Sequence, residues 1–464
     1  MEKPTVERSL DASIKDGTAY AVMAGLGETS YVGACALFLE ASPSQVALLV
    51  TIPLFLGSCA QLLTPILIER TGRRKPLFVG GSLVQALAWI PMGGALFLPA
   101  PWGFWTLFAG FVLFFAALHF TVPAWTSVMG DLVPARERGR FFGRRSSLCF
   151  LLQLMAMIVS GAGLAIYKGA GHEKLGYAVV FSGAFVARLL SVWYLNRMEE
   201  PPYVSRAQDK FTLWQFLARL PESNFAKFVI FVSCMNASAH FAGALFIPYW
   251  RDQLQYSYVE LMTVTSMIVL TMIVALPFWG RVADRYGNKK VLKVTAFGIA
   301  TLPALWLVSG HIAWACVLQV WSGIAWSGFN QSVSNFLFDA VSPPKRARCT
   351  AYMQLLMNLG VLVGGVAGAF AIKAMPVDLG FATLPYPFWG LLILSCLFRF
   401  ATLLFFIPRF REVREVPQIG TARMLVQSTR EAAESAVDLV AGFVRSDNEE
   451  EERAGVRSDS AGGP

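Results

Sequence analysis

Apolar residues run along this chain in blocks of about twenty, the length of α-helix that crosses a hydrocarbon core about 30 Å thick with every backbone N–H and C=O satisfied inside the segment. Twelve such blocks are read: 17–39, 44–68, 76–98, 104–128, 146–167, 176–195, 228–250, 259–278, 291–308, 313–338, 350–372 and 388–407. Polar residues gather in short stretches between them and in three longer ones, 1–16, 196–227 and 408–464. The middle stretch divides the chain into two sets of six blocks, 17–195 and 228–407. The pattern predicts an all-α membrane protein of twelve transmembrane helices. In the tail, 422–445 carries Leu425, Ala432, Ala436, Val440 and Phe443 along one side, and the final SDNEEEERAGVRSDSAGGP reads as disordered.

Charge then sets the orientation. Of the 39 Lys and Arg residues, thirty-three lie on one side of the alternating blocks, with Lys293 at the edge of the ninth counted there, and four lie on the other. Short basic loops stay cytoplasmic, so both termini are expected in the cytoplasm of a cell with this protein in its cytoplasmic membrane. The composition agrees: 55% of the 464 residues are hydrophobic and 15% charged, against about 25% charged in a soluble domain. The net charge of +9 is thus topological, suited to lipid headgroups, and nucleic acid is not expected as a partner. Seven scattered cysteines give neither a disulfide framework nor metal-ligand spacing, and no cofactor is expected. The N-terminus has no apolar stretch followed by a cleavage site, so no removable signal peptide is read.

The two halves echo each other. The segment PILIERTGRRK at 65–75 matches GRVADRYGNKK at 280–290, with Glu69 and Asp284 offset by 215. Asp131 after the fourth block and Asp339 after the tenth are offset by 208, and Arg188 and Arg399, inside the sixth and twelfth, by 211. Three echoes at nearly one offset indicate a parallel duplication. Their chemistry has a local reason: Gly72 and Gly287 supply permissive backbone where the chain reverses, and an acid at the end of a helix can pair with nearby cations and a neighbouring helix N-terminus.

This arrangement resembles the major facilitator superfamily of secondary transporters across 17–407. The family pattern G-x-x-x-D-R-x-G-R-R is fitted by Gly280, Asp284, Arg285 and Gly287, with Lys289 and Lys290 as the basic pair. The first copy has Pro65 for the glycine and Glu69 for the aspartate, but keeps Arg70, Gly72, Arg73 and Arg74. The resemblance implies two six-helix bundles that alternate access to a central cavity. It further implies a cytoplasmic charge lock that includes Asp131 and Asp339, with Glu69 facing the start of helix 11 and Asp284 the start of helix 5. Drug–proton antiporters of the superfamily usually have a Gly-Pro motif in helix 5 and an arginine in helix 4; their absence here counts against that subclass.

Ionisable groups within a bilayer cost about 2.5–3.5 kcal/mol even on insertion scales, so the few present carry information. Glu28 is the one acid inside a block apart from Glu260 at an edge, while His119 and His240 fall in the fourth and seventh. The resemblance implies that helices 1, 4, 7 and 10 line the cavity, with Glu28, His119 and His240 as expected proton-coupling or substrate groups. A desolvated carboxyl can load and release a proton near neutral pH, and a histidine needs little shift to do so. Tyr31, Trp125, Asn236, Trp326, Asn330 and Gln331 lie on the same helices. Aromatic and amide groups without Arg or Lys there suit a neutral or cationic organic solute.

Enzymes and pumps are disfavoured: there is no G-x-x-x-x-G-K-[ST] phosphate loop, no H-E-x-x-H and no nucleophile–histidine set on a helix. The expectation is a monomeric secondary transporter of a small organic solute, coupled to protons through Glu28. The alternative is a non-transporting receptor or regulator built on the same fold.

Overall fold

The protein is described as a computed structural model, covering residues 3–133, 138–202, 212–218, 223–341, 346–376, 383–417 and five positions between 420 and 430. Among these residues the architecture is helical. Eleven helical spans are long and apolar enough to cross a membrane: α1 (Thr5–Phe38), α2 (Pro43–Thr71), α3 (Lys75–Phe97), α4 (Trp102–Leu132), α5 (Arg144–Gly169), α6 (Glu173–Arg197), α7 (Asn224–Gln253), α8 (Tyr258–Tyr286), α10 (Ile312–Ala340), α11 (Arg348–Ala374) and α12 (Pro387–Arg409). Between α8 and α10 lies α9 (Asn288–Trp306), a 19-residue helix whose first two turns hold Lys289, Lys290 and Lys293. It coincides with the ninth apolar block. Val274, Ile166 and Leu404 are each more than 70% exposed, which is where a lipid-facing side chain belongs and a water-facing one does not.

Two membrane helices are interrupted at repeat-related places. In α1 the regular helix ends at Leu26 and restarts at Thr29, because Gly27 lies against the Trp89 ring, where a side chain would collide with it, and Glu28 is extended (φ −52°, ψ 136°). In α7 the helix ends at Gly243, restarts at Phe246 and closes in a π-turn over Tyr249–Gln253. The restarted pieces meet: a Cβ on Gly33 would stand 2.6 Å from Ile247 Cδ1, so the two helices approach more closely than any larger residue allows.

The first helix starts well before the apolar block. It begins at Lys3, although Ser9, Ser13 and Asp16 are polar. These three are buried, Lys15 pairs with Asp11 at 2.7 Å on the exposed side, and Asp16 meets cations from α5 and α6. Hydropathy alone reads such a turn as loop; tertiary partners make it helix.

Apolar packing differs at the two faces. On the face away from the basic loops a single core joins both halves, with Tyr31, Trp89, Phe111 and Tyr177 from the first and Tyr249, Trp250, Tyr258 and Phe388 from the second. On the basic face the cores are separate. Phe78, Val128, Met129 and Leu195 form one within the first half, Phe228, Phe231, Phe329, Phe336 and Phe410 form a second within the other half, and Trp279, Val282, Tyr286 and Met424 form a third there. On the far face Tyr177, Tyr258 and Glu173 are hydrogen-bonded across the halves. Ser44 Oγ also donates to the Ala369 carbonyl there (2.9 Å).

Candidate functional site

Helices α7, α9, α10 and α12 enclose a cavity of about 270 Å³, with Val50 of α2 on its wall. Its lining is aromatic with a few polar groups: Phe246, Trp250, Trp306 and Trp326 stand beside His240, Gln319, Ser322 and Arg399. Convergent polar groups in an apolar cleft are the usual chemistry of a small-molecule site. Pro303 lies within α9 where it borders the cavity.

Arg399 is the charge in this cavity. It is 6% exposed, and its guanidinium donates to Ser395 Oγ (3.2 Å), the Ile299 carbonyl (2.8 Å) and the Ala239 carbonyl (3.1 Å). His240 turns Nδ1 to the Asn236 carbonyl at 3.0 Å, which leaves Nε2 as the nitrogen free to meet a solute. The buried Trp250 indole nitrogen has no hydrogen-bond partner among the described residues.

The other expected site residues are dispersed. Glu28 caps the restarted piece of α1, accepting from the Thr29 N–H at 2.6 Å, the Ser30 N–H at 3.4 Å and Ser30 Oγ at 3.2 Å. His119 is not beside it: its Nδ1 lies 3.3 Å from Gln61 Oε1, and its ring packs on Gly57, which ties α4 to α2. Tyr31 is buried and donates to the Met157 carbonyl (2.9 Å), so it holds α1 to α5 and does not line the cavity. Trp125 stacks under Arg145 at 4.6 Å. Asn236 donates back to the Val232 carbonyl (2.9 Å), Asn330 is exposed, and Gln331 donates to Asn335 (3.1 Å). Of the three expected titratable groups, the structure brings only His240 to the cavity.

At the basic face the repeated motif builds two related networks. Arg74 is fully buried; its Nη1 pairs with Asp131 (2.5 Å) and its Nε with Glu200 (3.2 Å). Glu200 also accepts the backbone N–H groups of Arg74 and Lys75, which cap α3. In the second half Glu412 accepts the Lys289 N–H (2.7 Å) at the start of α9, and Asn288 donates to Asp339 (2.8 Å). Gly72 and Gly287 have φ of +65° and +89°, the left-handed backbone that the two reversals require. Gly280 has open space around it, and Arg70 and Arg73 are exposed.

Glu69 meets Arg348 at the start of α11 at 2.9 Å, an ion pair between the halves. Asp284 faces Arg414 of the tail (3.8 Å), and Arg414 Nε also lies 3.4 Å from Asp339; residues 134–137 and the side chains of 138–140 and 143, at the start of the fifth membrane helix, lie outside what is described. The tail occupies this position because Met424 is buried among Trp279, Val282 and Tyr286. Arg285 lies over the Tyr286 ring. The remainder of the amphipathic stretch 431–445, residues 134–137, and the central residues 203–211 and 219–222 lie outside the described residues.

Glu69→Gln removes a partly exposed pair, so stability should change by less than about 1 kcal/mol. The separation of the halves at the basic face should increase, measured by spin-label distances between α2 and α11. Unchanged distances would show that the pair does not hold the halves together.

Sequence reasoning missed Asp16, Glu200, Glu412 and Gln319. Asp16 falls one residue before the first apolar block, yet an arginine inside the sixth block demands an acid somewhere, and that demand was the available signal. Glu200 and Glu412 each follow the sixth helix of their half, an echo that the two shared segments could have prompted.

The profile described as Major Facilitator Superfamily matches residues 18–262 and 227–444. Among curated proteins, the chain is 24% identical over 358 residues to "Multi-drug resistance efflux pump PmrA" of Streptococcus pneumoniae, covering 74% of this chain and 84% of that protein. It is 22% identical to the PmrA homolog of Lactococcus lactis subsp. lactis, over 64% of this chain and 71% of the relative. Among solved structures, a point mutant of the nucleoside transporter NupG superposes with a TM-score of 0.68 at 14% identity, over 87% of this chain and all of that one. A D-xylose–proton symporter superposes at 0.64 with 13% identity, over 89% and 100%.

Proposed function

Because the chain belongs to the major facilitator superfamily and is thus a multi-pass membrane transporter and not an enzyme, we propose that it moves a small organic solute by alternating access, coupled to protons through Glu28. The observation that carries this reading is the asymmetry of closure: one apolar core shared by both halves at the far face, and cores confined to one half or the other at the basic face. Two bundles that part on one side and seal on the other can exchange the open side by rocking; the cavity lies within the second bundle, with Val50 of the first on its wall. With the basic face in the cytoplasm, this conformation faces inward, in a cytoplasmic membrane, as a monomer. The two six-helix units are 17–195 and 228–407.

Glu28 couples in this reading through the break in α1. As a carboxylate it accepts three hydrogen bonds at the N-terminus of Thr29–Phe38, a favourable place for negative charge. Protonation removes that charge, weakens the cap and loosens the piece that packs through Gly33 on Ile247, so proton loading favours opening of the far face. On the basic face the Glu69–Arg348 pair is the lock contact between the halves, Arg74 with Asp131 in the first half and Arg414 with Asp284 and Asp339 in the second brace the helix ends beside it, and release of that pair accompanies wider opening of the face.

Glu28→Gln keeps an oxygen that can cap the helix but cannot titrate. In proteoliposomes this variant should retain solute counterflow and lose its response to an imposed pH gradient. Gradient-driven transport equal to the wild type would sink the coupling role. Absence of counterflow in the wild type with every solute that binds would favour the receptor reading.

A further inference from the structure

The two repeat-related arginines differ in one respect. Arg188 of α6 has an internal counter-charge, Asp16, at 3.9 Å. Arg399 of α12 has none: among the described residues no carboxylate lies within ion-pair distance, and its hydrogen bonds go to one hydroxyl and two carbonyls. Both are nearly fully buried. A guanidinium has five N–H donors, and those three bonds leave two, in a side chain that lines the cavity. An uncompensated buried cation is costly unless an anion answers it.

The rest of the cavity points the same way. The Trp250 indole N–H is buried without an acceptor among the described residues, Gln319 makes no hydrogen bond to the described protein although it is 9% exposed, and both line the cavity with Arg399. Phe246, Trp306 and Trp326 supply flat apolar walls. We propose that this cavity binds an aromatic monocarboxylate, with the carboxylate on Arg399 and the Trp250 N–H and the ring among the aromatic side chains. The cationic group comes from α12, which is outside the helices 1, 4, 7 and 10 that the family resemblance implies for the cavity, and the residues of those helices alone suggested a neutral or cationic solute. The carboxylate could be borne by a water-soluble aromatic acid or by a fatty acid from the bilayer; the aromatic walls and the small volume favour the former.

The inference rests on the cavity being the solute site of the proposed transporter, and equilibrium binding tests it separately from transport. Purified protein in phosphatidylcholine nanodiscs is titrated with 3-phenylpropanoate, octanoate, 3-phenylpropanamide and 3-phenylpropylamine, with calorimetry as the readout. Phenylpropanoate should bind, and the other three should bind at least about tenfold more weakly, the factor that corresponds to about 1.4 kcal/mol. Arg399→Gln should abolish the preference for the acid over its amide. If that variant does not fold, Gln319→Glu carries the test, because a carboxylate across the cavity answers Arg399 from within and should displace phenylpropanoate by a similar factor. Equal binding of acid and amide, tighter binding of octanoate, no binding of phenylpropanoate, or unchanged binding in Gln319→Glu each overturns the proposal. Binding without counterflow would instead sink the transport reading and leave the site standing.

Discussion

Asp16→Asn should destabilise the folded protein by about 3–5 kcal/mol, the cost typical of removing one partner from a buried ion pair. Asp16 is 4% exposed and Arg188 3%. The Asp16 carboxylate accepts from Ser191 Oγ (2.6 Å) and pairs with Arg188 (3.9 Å) on one oxygen and with Arg145 (3.4 Å) on the other. Arg188 in turn donates to Ser82 of α3 (2.7 Å) and to Ser191. One carboxylate therefore neutralises two cations and joins α1, α5, α6 and, through Arg188, α3. Asparagine keeps the shape and one acceptor but leaves both guanidinium groups without a counter-charge. The check is the thermal unfolding midpoint in detergent, which should fall for Asp16→Asn and recover in part in the double variant with Arg188→Met. Partial recovery is expected because removing Arg188 leaves one fewer buried guanidinium without a counter-charge, and half a buried ion pair costs more than neither partner. An unchanged midpoint in the single variant would show that Asp16 does not compensate the arginines.

Gly364→Ala should abolish the folded protein, whereas Gly365→Ala should spare the fold and slow transport. A Cβ on Gly364 would overlap the Ala237 carbonyl oxygen, as Cβ atoms on Gly360 and Gly368 would overlap those of Ser233 and Phe241. These glycines recur every four residues on α11 and let its backbone rest on that of α7, the close packing by which membrane helices associate without a hydrophobic driving force. The obstruction is backbone, so relief requires separating two helices of one bundle, and overpacking penalties of about 1–3 kcal/mol are a lower bound here. Gly365 faces the other way: its added Cβ would meet the side-chain methyl of Thr51 on α2, in the opposite half. That contact can yield by shifting one bundle against the other. Monodisperse yield after purification reads the first outcome and counterflow rate the second. Equal yields for the two alanine variants would contradict the assignment of Gly364 to a bundle interior and Gly365 to the moving interface.

The sequence made the seam legible in part. Gly360, Gly364, Gly365 and Gly368 are small residues clustered in one apolar block, but only the tertiary arrangement separates the three that touch α7 from the one that touches α2. Glu69 illustrates the opposite case. The family resemblance implies a position against the start of α11, where Glu69 meets Arg348, and the motif that carries that resemblance is a local property of the chain. The repeat partner Asp284 meets Arg414, delivered by the tail, and nothing in the spacing of the motif reports where a residue 130 positions later will fold back.

Glu28 and Arg399 show the same division within the membrane. The rarity of charge in apolar blocks singled out Glu28, and the repeat offset from Arg188 marked Arg399; neither signal needs coordinates. Their roles diverge on tertiary grounds: Glu28 finds donors one and two residues along its own chain, while Arg399 meets only carbonyls and a hydroxyl and borders a cavity. His119 and His240 looked alike in sequence, yet one bridges α4 to Gln61 and the other lines that cavity.

By itself the sequence determined the apolar helices, the two-fold repetition, the expected basic face and the family, because each is carried by runs or motifs in which the informative residues are neighbours along the chain. The tertiary structure alone decided which buried charges are answered from within, where the halves share a core and where they part, and which helix contributes the cavity's cation. Those depend on residues such as Asp16 and Arg188, or Arg399 and Trp250, that are far apart in sequence and meet only when the helices pack. A charge in lipid must find its partner in space, and no local pattern along the chain records whether it has done so.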